Sequence, residues 1–305
     1  LAAQRSLTRG NLARDNQRRK NIIIMNSADA KSGTLDVNDV RLHYLDWGGS
    51  GDPIVILHAT GFLGRIYAPI ASALTQIGHV YSYDQRGHGD SSPSPDGEYN
   101  WQRTMDDLAG FITAMGFRKV RAFGHSAGAT AIGGLACDRP ELISRAVLSE
   151  PVLFETPTSP EIEWRNPFIE RTRKRRRVFD SVDAMFHNFD NKPPYDTWNK
   201  AMLRDYCEFG TRVNADGKRE LKCTPETEAR LYETSQDFDG LGRIVRAQVP
   251  LLVLFGDRSD SLSSTLADKI AANLAHGRVM MIPDTGHFMP MEKPEEVARL
   301  AIDFL

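Results

Sequence analysis

Six short apolar runs recur along this chain, and between most of them lies a segment of helical periodicity; few folds can accommodate that rhythm. The first is Ile54-Val55-Ile56-Leu57, and the others lie at 79–83, 119–123, 145–149, 250–255 and 278–282. Each is too short for a helix and apolar at consecutive positions, which suits a strand buried on both faces. Helical patterns near 66–77, 102–115, 127–138, 264–274 and 294–305 alternate with them. Such alternation predicts a mostly parallel sheet covered by helices on both sides, an α/β architecture. Ahead of the first run, residues 34–47 alternate apolar and polar side chains through Leu35, Val37, Val40, Leu42, Tyr44 and Trp47. That period of two predicts an entering strand pair with one face buried.

The rhythm stops between Pro151 and about Gly240. No buried-strand run occurs there, and Trp164, Phe168, Phe179, Phe186, Phe189, Tyr195, Trp198, Tyr206 and Phe209 stand among many charges. Their spacing fits short amphipathic helices, so an inserted helical cap is expected over 151–240, dividing a core of 31–150 and 241–305. Most of these rings are expected to form the cap's own small core. Phe168, Phe186 and Trp198, with Phe62, are taken as the residues facing a substrate cleft. Glu170 is followed by Arg171, Arg173, Lys174, Arg175, Arg176 and Arg177, a run read as the solvated face of a helix.

With 305 residues, 41% of them apolar, the chain can bury a large core. Its formal charge of −2 gives no field that would recruit nucleic acid or an anionic membrane, so a small, fairly neutral substrate is expected. Cys137, Cys207 and Cys223 are odd in number and lack metal-ligand spacing, which points to a reducing, cytoplasmic setting and to neither disulfides nor zinc. No apolar run approaches a membrane span. Residues 1–30 are expected to be a disordered basic extension before a start near Met25; Arg5, Arg9, Arg14, Arg18, Arg19 and Lys20 against Asp15 would also suit organelle import. The oligomeric state is left open.

Gly124-His125-Ser126-Ala127-Gly128 follows the apolar run ending at Phe123 and precedes a helix of small residues. A nucleophile at such a strand-to-helix turn needs a strained backbone that thrusts its Oγ outward, and the flanking glycines leave the room that a Cβ would occupy. A neutral hydroxyl is a poor nucleophile, so a base and a group orienting that base are required. His287, in Gly286-His287-Phe288, follows the last strand-like run. Three carboxylates are in play behind it: Asp257 and Asp260 after the 250–255 run, and Glu150 at the end of the 145–149 run.

Taken together, Leu57 to Phe62, Asp84 to Ser91, the turn at Ser126, Gly256 to Asp260, and Gly286-His287 before Glu292-Lys293-Pro294-Glu295 resemble the α/β-hydrolase fold family over about residues 34–305. The resemblance implies an eight-stranded, mostly parallel sheet with catalytic residues at strand C-terminal ends, a cap inserted after strand six, and no metal or organic cofactor. It assigns Ser126 as nucleophile, His287 as base, and the amides of Thr60 and Ala127 as oxyanion hole. Asp260 is taken as the acid ahead of Asp257 and Glu150, because Gly256 to Leu262 is similar to a Gly-x-x-Ser-Asp-x-Leu form at that position in some members. The chain departs from the family's usual His-Gly at His58-Ala59-Thr60. His58 is read as holding that loop by hydrogen bonds, His88 as sitting in a turn, and His125 as filling space beside the nucleophile.

The expected reaction is hydrolysis of a small carboxylic ester through an acyl-enzyme, with a lactone as the nearest competitor. Relatives that open epoxides or remove halide resemble one another in an aspartate at the turn, against which Ser126 argues. Carbon–carbon bond hydrolases retain a serine triad, and a ligand receptor built on a retained triad is the alternative from outside enzymology.

Overall fold

The computed structural model describes residues 30–154 and 165–305, so the basic segment expected at the N-terminus and Trp164 lie outside the described residues. Two antiparallel strands, β1 (Lys31–Val37) and β2 (Val40–Gly48), lead into β3 (Pro53–Leu57), β4 (His79–Tyr83), β5 (Val120–His125) and β6 (Ile143–Ser149). After a long insertion come β10 (Leu251–Gly256) and β11 (Gly277–Ile282); the insertion's own short strands take the numbers between. The eight strands form one sheet in the order β1-β2-β4-β3-β5-β6-β10-β11, parallel from β4 onward.

Five of the six apolar runs become the middle of this sheet, where both faces are buried, whereas the run at 278–282 forms the edge strand β11, largely exposed and not buried on both faces as expected. Val55 and Leu57 of β3 join one hydrophobic cluster, Ile54 and Ile56 the other, and β10 divides likewise between Val253 and the pair Leu252, Leu254. Successive side chains of a strand point to opposite faces, so a run apolar at every position is what two covered faces require. Helices α1 (Ala68–Leu74), α2 (Trp101–Ala114) and α3 (Ala127–Asp138) cover the sheet in the first half.

Between β6 and β10 the chain forms α4 (Arg165–Arg173), β7 (Val178–Phe179), α5 (Val182–Phe189), α6 (Lys200–Phe209), β8 (Thr211–Val213), β9 (Arg219–Leu221), α7 (Pro225–Thr234) and α8 (Gly240–Arg246). The expected cap is therefore not wholly helical. β7, β9 and β8 make a small antiparallel sheet, whose strands of two or three residues leave no period in the sequence. The basic run is a helix face only in part: α4 ends at Arg173, and although Arg171, Lys174, Arg176 and Arg177 are exposed, several arginines of the run are drawn onto acids. Arg173 meets Glu170 and Glu226, Arg177 meets Glu220, and Arg175 turns inward onto Glu228 with its Nη2 2.8 Å from Tyr206 Oη. The chain closes with α9 (Ser264–Asn273), α10 (Met289–Glu292) and α11 (Pro294–Phe304).

One crossing matters most for the site. α3 leaves β5 and passes over the end of β3 so closely that a Cβ on Gly128 would lie 2.5 Å from the carbonyl oxygens of both Leu57 and His58. Those oxygens belong to a central strand and its exit, which cannot easily move. Gly128→Ala is expected to cost about 1–3 kcal/mol of stability. Urea denaturation checks this, and an unchanged midpoint would mean that α3 can slide away from β3.

Candidate active site

Ser126 sits where β5 hands over to α3, with φ 56° and ψ −125°, a left-handed conformation rare for a residue with a side chain. Its N–H donates to the carbonyl of Ser149 at 3.0 Å and its carbonyl accepts from Thr130 N at 3.0 Å, so neighbouring strand and helix hold the strained residue from both sides. His287 lies in the turn after β11, and its Nε2 is 3.0 Å from Ser126 Oγ. On the other side of the ring, Nδ1 is 3.3 Å from Glu150 Oε2.

Glu150 is fully buried at the end of β6, itself left-handed at φ 50°. The loop after β10 wraps its carboxylate with donors: Gly256 N–H reaches Oε1 at 2.7 Å and Ser259 Oγ reaches Oε2 at 2.5 Å. Asp260, chosen from the sequence, is not brought to the imidazole. It is exposed, and its Oδ1 accepts from Ser261 Oγ at 3.4 Å. The physical reason is the direction of the turn: Ser259 points inward, its Oγ also accepting from the amides of Ser261 and Leu262 at 3.1 Å, and this turns Asp260 to solvent. Asp257 is likewise exposed, and its Oδ1 accepts from Thr285 N at 3.2 Å.

The loop after β3 is fixed by rings. Ala59 N–H donates to Tyr67 Oη at 3.2 Å, Gly61 N–H donates to His88 Nε2 at 3.0 Å, and His58 Nδ1 contacts Ala59 O at 2.7 Å. His58 Nε2 in turn accepts from Gln85 N at 2.9 Å. The amides on both sides of Thr60 are thus occupied, while among the described residues the amides of Thr60 and Ala127 have no protein acceptor. Two buried polar atoms here, Thr60 Oγ1 and Trp198 Nε1, also lack a protein partner.

Of the expected cleft residues, Phe62 and Trp198 come together, with ring centroids 5.2 Å apart. Both pack on Phe288, whose ring is 5.1 Å from His287. Phe288 and Tyr67 were not singled out from the sequence, where they look like ordinary core aromatics. Phe168 packs on Tyr232 in the α4–α7 pair and Phe186 lies under Arg204 on α6, rather than on the Phe62, Trp198 and Phe288 rings. His43, Asp84 and Asp90 gather ligand atoms within 4.8 Å of one another. Their atoms are already engaged, since Asp84 accepts from Gly64 N, Asp90 N and the His43 ring, and Lys222 Nζ lies 2.7 Å from Asp90. That cluster reads as a structural staple.

Residues 54–300 match the alpha/beta hydrolase family, and the chain belongs to it. Epoxide hydrolase A of Mycobacterium tuberculosis is 27% identical over 319 residues, covering 89% of this chain and 96% of that protein. Among solved structures, E-2-(acetamidomethylene)succinate hydrolase superposes with a TM-score of 0.79 at 22% identity, covering 90% of this chain and 98% of its own. The enol-lactonase from Burkholderia xenovorans LB400 gives 0.70 at 22% identity, over 89% and 99%. At these identities the two structural likenesses speak for the fold alone. Among the described residues no helix is long and apolar enough to cross a membrane.

Burial leaves three rings of the site neutral. It pushes His58 down to about 3, with His88 beside it adding to the effect, and His88 down to about 4. Burial also holds His125 well below the ordinary imidazole value, and His287 reinforces this. In the unfolded chain each ring takes up a proton below about pH 6.5, whereas the folded protein refuses it, so stability falls as pH drops from there. The slope is ~1.4 kcal/mol per pH unit per ring, in a window above the usual carboxylate range. Tm is therefore expected to decrease between pH 6.5 and 5. A Tm that stays level or rises over that interval would show that these rings accept protons in the folded state.

Proposed function

We propose that this protein is a serine hydrolase that cleaves a small carboxylic ester through an acyl-enzyme, with Ser126 as nucleophile, His287 as base and Glu150 as the carboxylate behind the base. The supporting observation is a continuous chain of contacts, Ser126 Oγ to His287 Nε2 at 3.0 Å and His287 Nδ1 to Glu150 Oε2 at 3.3 Å. Ser126 Oγ attacks the carbonyl carbon as His287 Nε2 takes its proton, and Glu150, accepting from Nδ1–H, stabilises the imidazolium. The negative charge that develops on the carbonyl oxygen meets the amides of Thr60 and Ala127, which wait unpaired. His287 then protonates the departing alcohol, and a water molecule deprotonated by His287 releases the acid.

The epoxide-opening activity named for the 27%-identical relative does not transfer in this reading, because serine rather than aspartate occupies the turn. The region between β6 and β10 acts as the cap, with Phe62, Trp198 and Phe288 forming the apolar wall beside His287. Three free cysteines, Cys137, Cys207 and Cys223, support a reducing, cytoplasmic compartment.

A panel of p-nitrophenyl esters of graded chain length, run beside lactones, tests the substrate class. Ser126→Ala is expected to lower kcat on the preferred ester by ~10⁴ to 10⁶ while leaving the fold intact. A folded variant that keeps more than about a tenth of the rate places the nucleophile elsewhere.

The acid is tested separately by measuring Glu150→Gln and Asp260→Asn side by side. Glu150→Gln should cost up to ~10⁴ in kcat, and Asp260→Asn less than about tenfold, as for an exposed loop residue. The reverse ranking would return the role to Asp260.

A further inference from the structure

We propose that Tyr67 and His125 form a positioning bridge that ties the loop carrying the oxyanion amide to the segment carrying the base, passing directly behind the nucleophile. The inference rests on the serine hydrolase reading above. The bridge runs from Ala59 N–H to Tyr67 Oη at 3.2 Å, from Tyr67 Oη to His125 Nδ1 at 2.7 Å, and from His125 Nε2 to the main-chain oxygen of His287 at 2.8 Å.

The direction of every link follows from its two ends. A carbonyl oxygen can only accept, so His125 Nε2 carries the hydrogen. His125 is fully buried and its imidazole is held neutral, which leaves Nδ1 as an acceptor. Tyr67 must then donate its O–H to Nδ1, and its oxygen is free to accept from the Ala59 amide, which can only donate. Tyr67 is itself buried, with its ring edge-on to Phe123 and His125 at 6.4 and 6.0 Å, so neither ring can swing away. No link has a second polarity available to it.

Three reacting parts meet this bridge. Thr60, whose amide is left for the oxyanion, follows Ala59; Ser126 follows His125; and the His287 carbonyl is the far end. His58 and His88 fix the β3 loop to its own neighbourhood, whereas Tyr67 and His125 carry a hydrogen-bonded path from that loop to the β11–α10 turn past the nucleophile, beside the ring contact of Phe62 with Phe288. An oxyanion donor and a base on two separate loops must hold a fixed spacing about the attacked carbon, and misplacement by about an ångström can cost ~10² in rate. Tyr67 and His125 give no hydrogen bond to the Ser126 hydroxyl or to the His287 ring nitrogens, although the His125 ring packs beside that of His287 with centroids 5.2 Å apart, and in this assignment they act by setting that spacing.

Tyr67→Phe removes one oxygen and keeps the ring packing. With p-nitrophenyl acetate it is expected to lower kcat about 10- to 100-fold with KM within about twofold. The affinity of a trifluoromethyl ketone, which forms a tetrahedral adduct with the serine, should fall by the same factor as kcat/KM. His125→Phe should do the same, and the double variant should be no worse than His125→Phe alone, because the two residues act as one bridge. A Tyr67→Phe or His125→Phe protein that loses thermal stability while keeping wild-type kcat and ketone affinity overturns the proposal, since the bridge would then only satisfy buried polar atoms. Effects of the two substitutions that simply add also overturn it. Ser126→Ala on the same ester separates the two levels: residual turnover there sinks the serine hydrolase reading, whereas its loss beside an unimpaired Tyr67→Phe sinks the bridge alone.

Discussion

The passage of α3 across the ends of β3 and β5 is the constraint on which the rest of the site depends. It brings helix backbone against strand carbonyls at Gly128, where a Cβ would lie 2.5 Å from two oxygens, and it brings Gly124 equally close to Ala129. Only because these two residues lack side chains can β5 turn into a helix within a single residue. That residue, Ser126, absorbs the turn as a left-handed backbone conformation, a strain of order 1–3 kcal/mol that the surrounding packing enforces. The same turn points its Oγ out of the sheet and aims the first amides of α3 at the space above it. Exposure of the Ser126 Oγ and the placing of the Ala127 amide are therefore two consequences of one steric fact.

Around this turn the protein uses neutral polar groups rather than charges to fix backbone. His58, His88, His125 and Tyr67 are buried, and each completes hydrogen bonds with main-chain groups of the β3 loop or with the His287 carbonyl. A neutral imidazole offers one donor and one acceptor in a rigid ring, which suits it to joining an N–H to a C=O at a distance that no shorter side chain spans. A protonated ring could not accept from Gly61 or from Gln85, and burial prevents that protonation. Glu150 is the exception, a buried carboxylate beside the His287 ring. It is made tolerable by Gly256 N–H and Ser259 Oγ, whose donation compensates the water it has lost.

The insertion between β6 and β10 treats its charges differently. Arg173, Arg175 and Arg177 stand in a run that looks solvated when read linearly, yet each meets a glutamate from α7 or β9, or from α4 itself. Glu228, the partner of Arg175, also packs against Gly61, where a Cβ would lie 3.0 Å from its Oε1. This internal ion pair thus abuts the loop that carries Thr60.

What the sequence by itself determined is whatever is written in local periodicity and local sterics. The eight strands of the main sheet, its covering helices and the position of Ser126 follow from apolar runs, helical spacing and two glycines, all of which act within a few residues. The β7–β9–β8 sheet was not legible, because strands of two or three residues carry no period. Asp260 against Glu150 shows the limit most plainly. The loop 256–260 offered two carboxylates at a plausible place, and nothing local says that Ser259 turns inward and Asp260 outward. That choice is made by Glu150, 106 residues before Gly256 and brought beside it only by the pairing of β6 with β10. Likewise His125 looks like filler until the sheet sets it between Tyr67 and the His287 carbonyl. Which buried polar group meets which is a property of strand neighbours, and strand order arises only when the whole core packs.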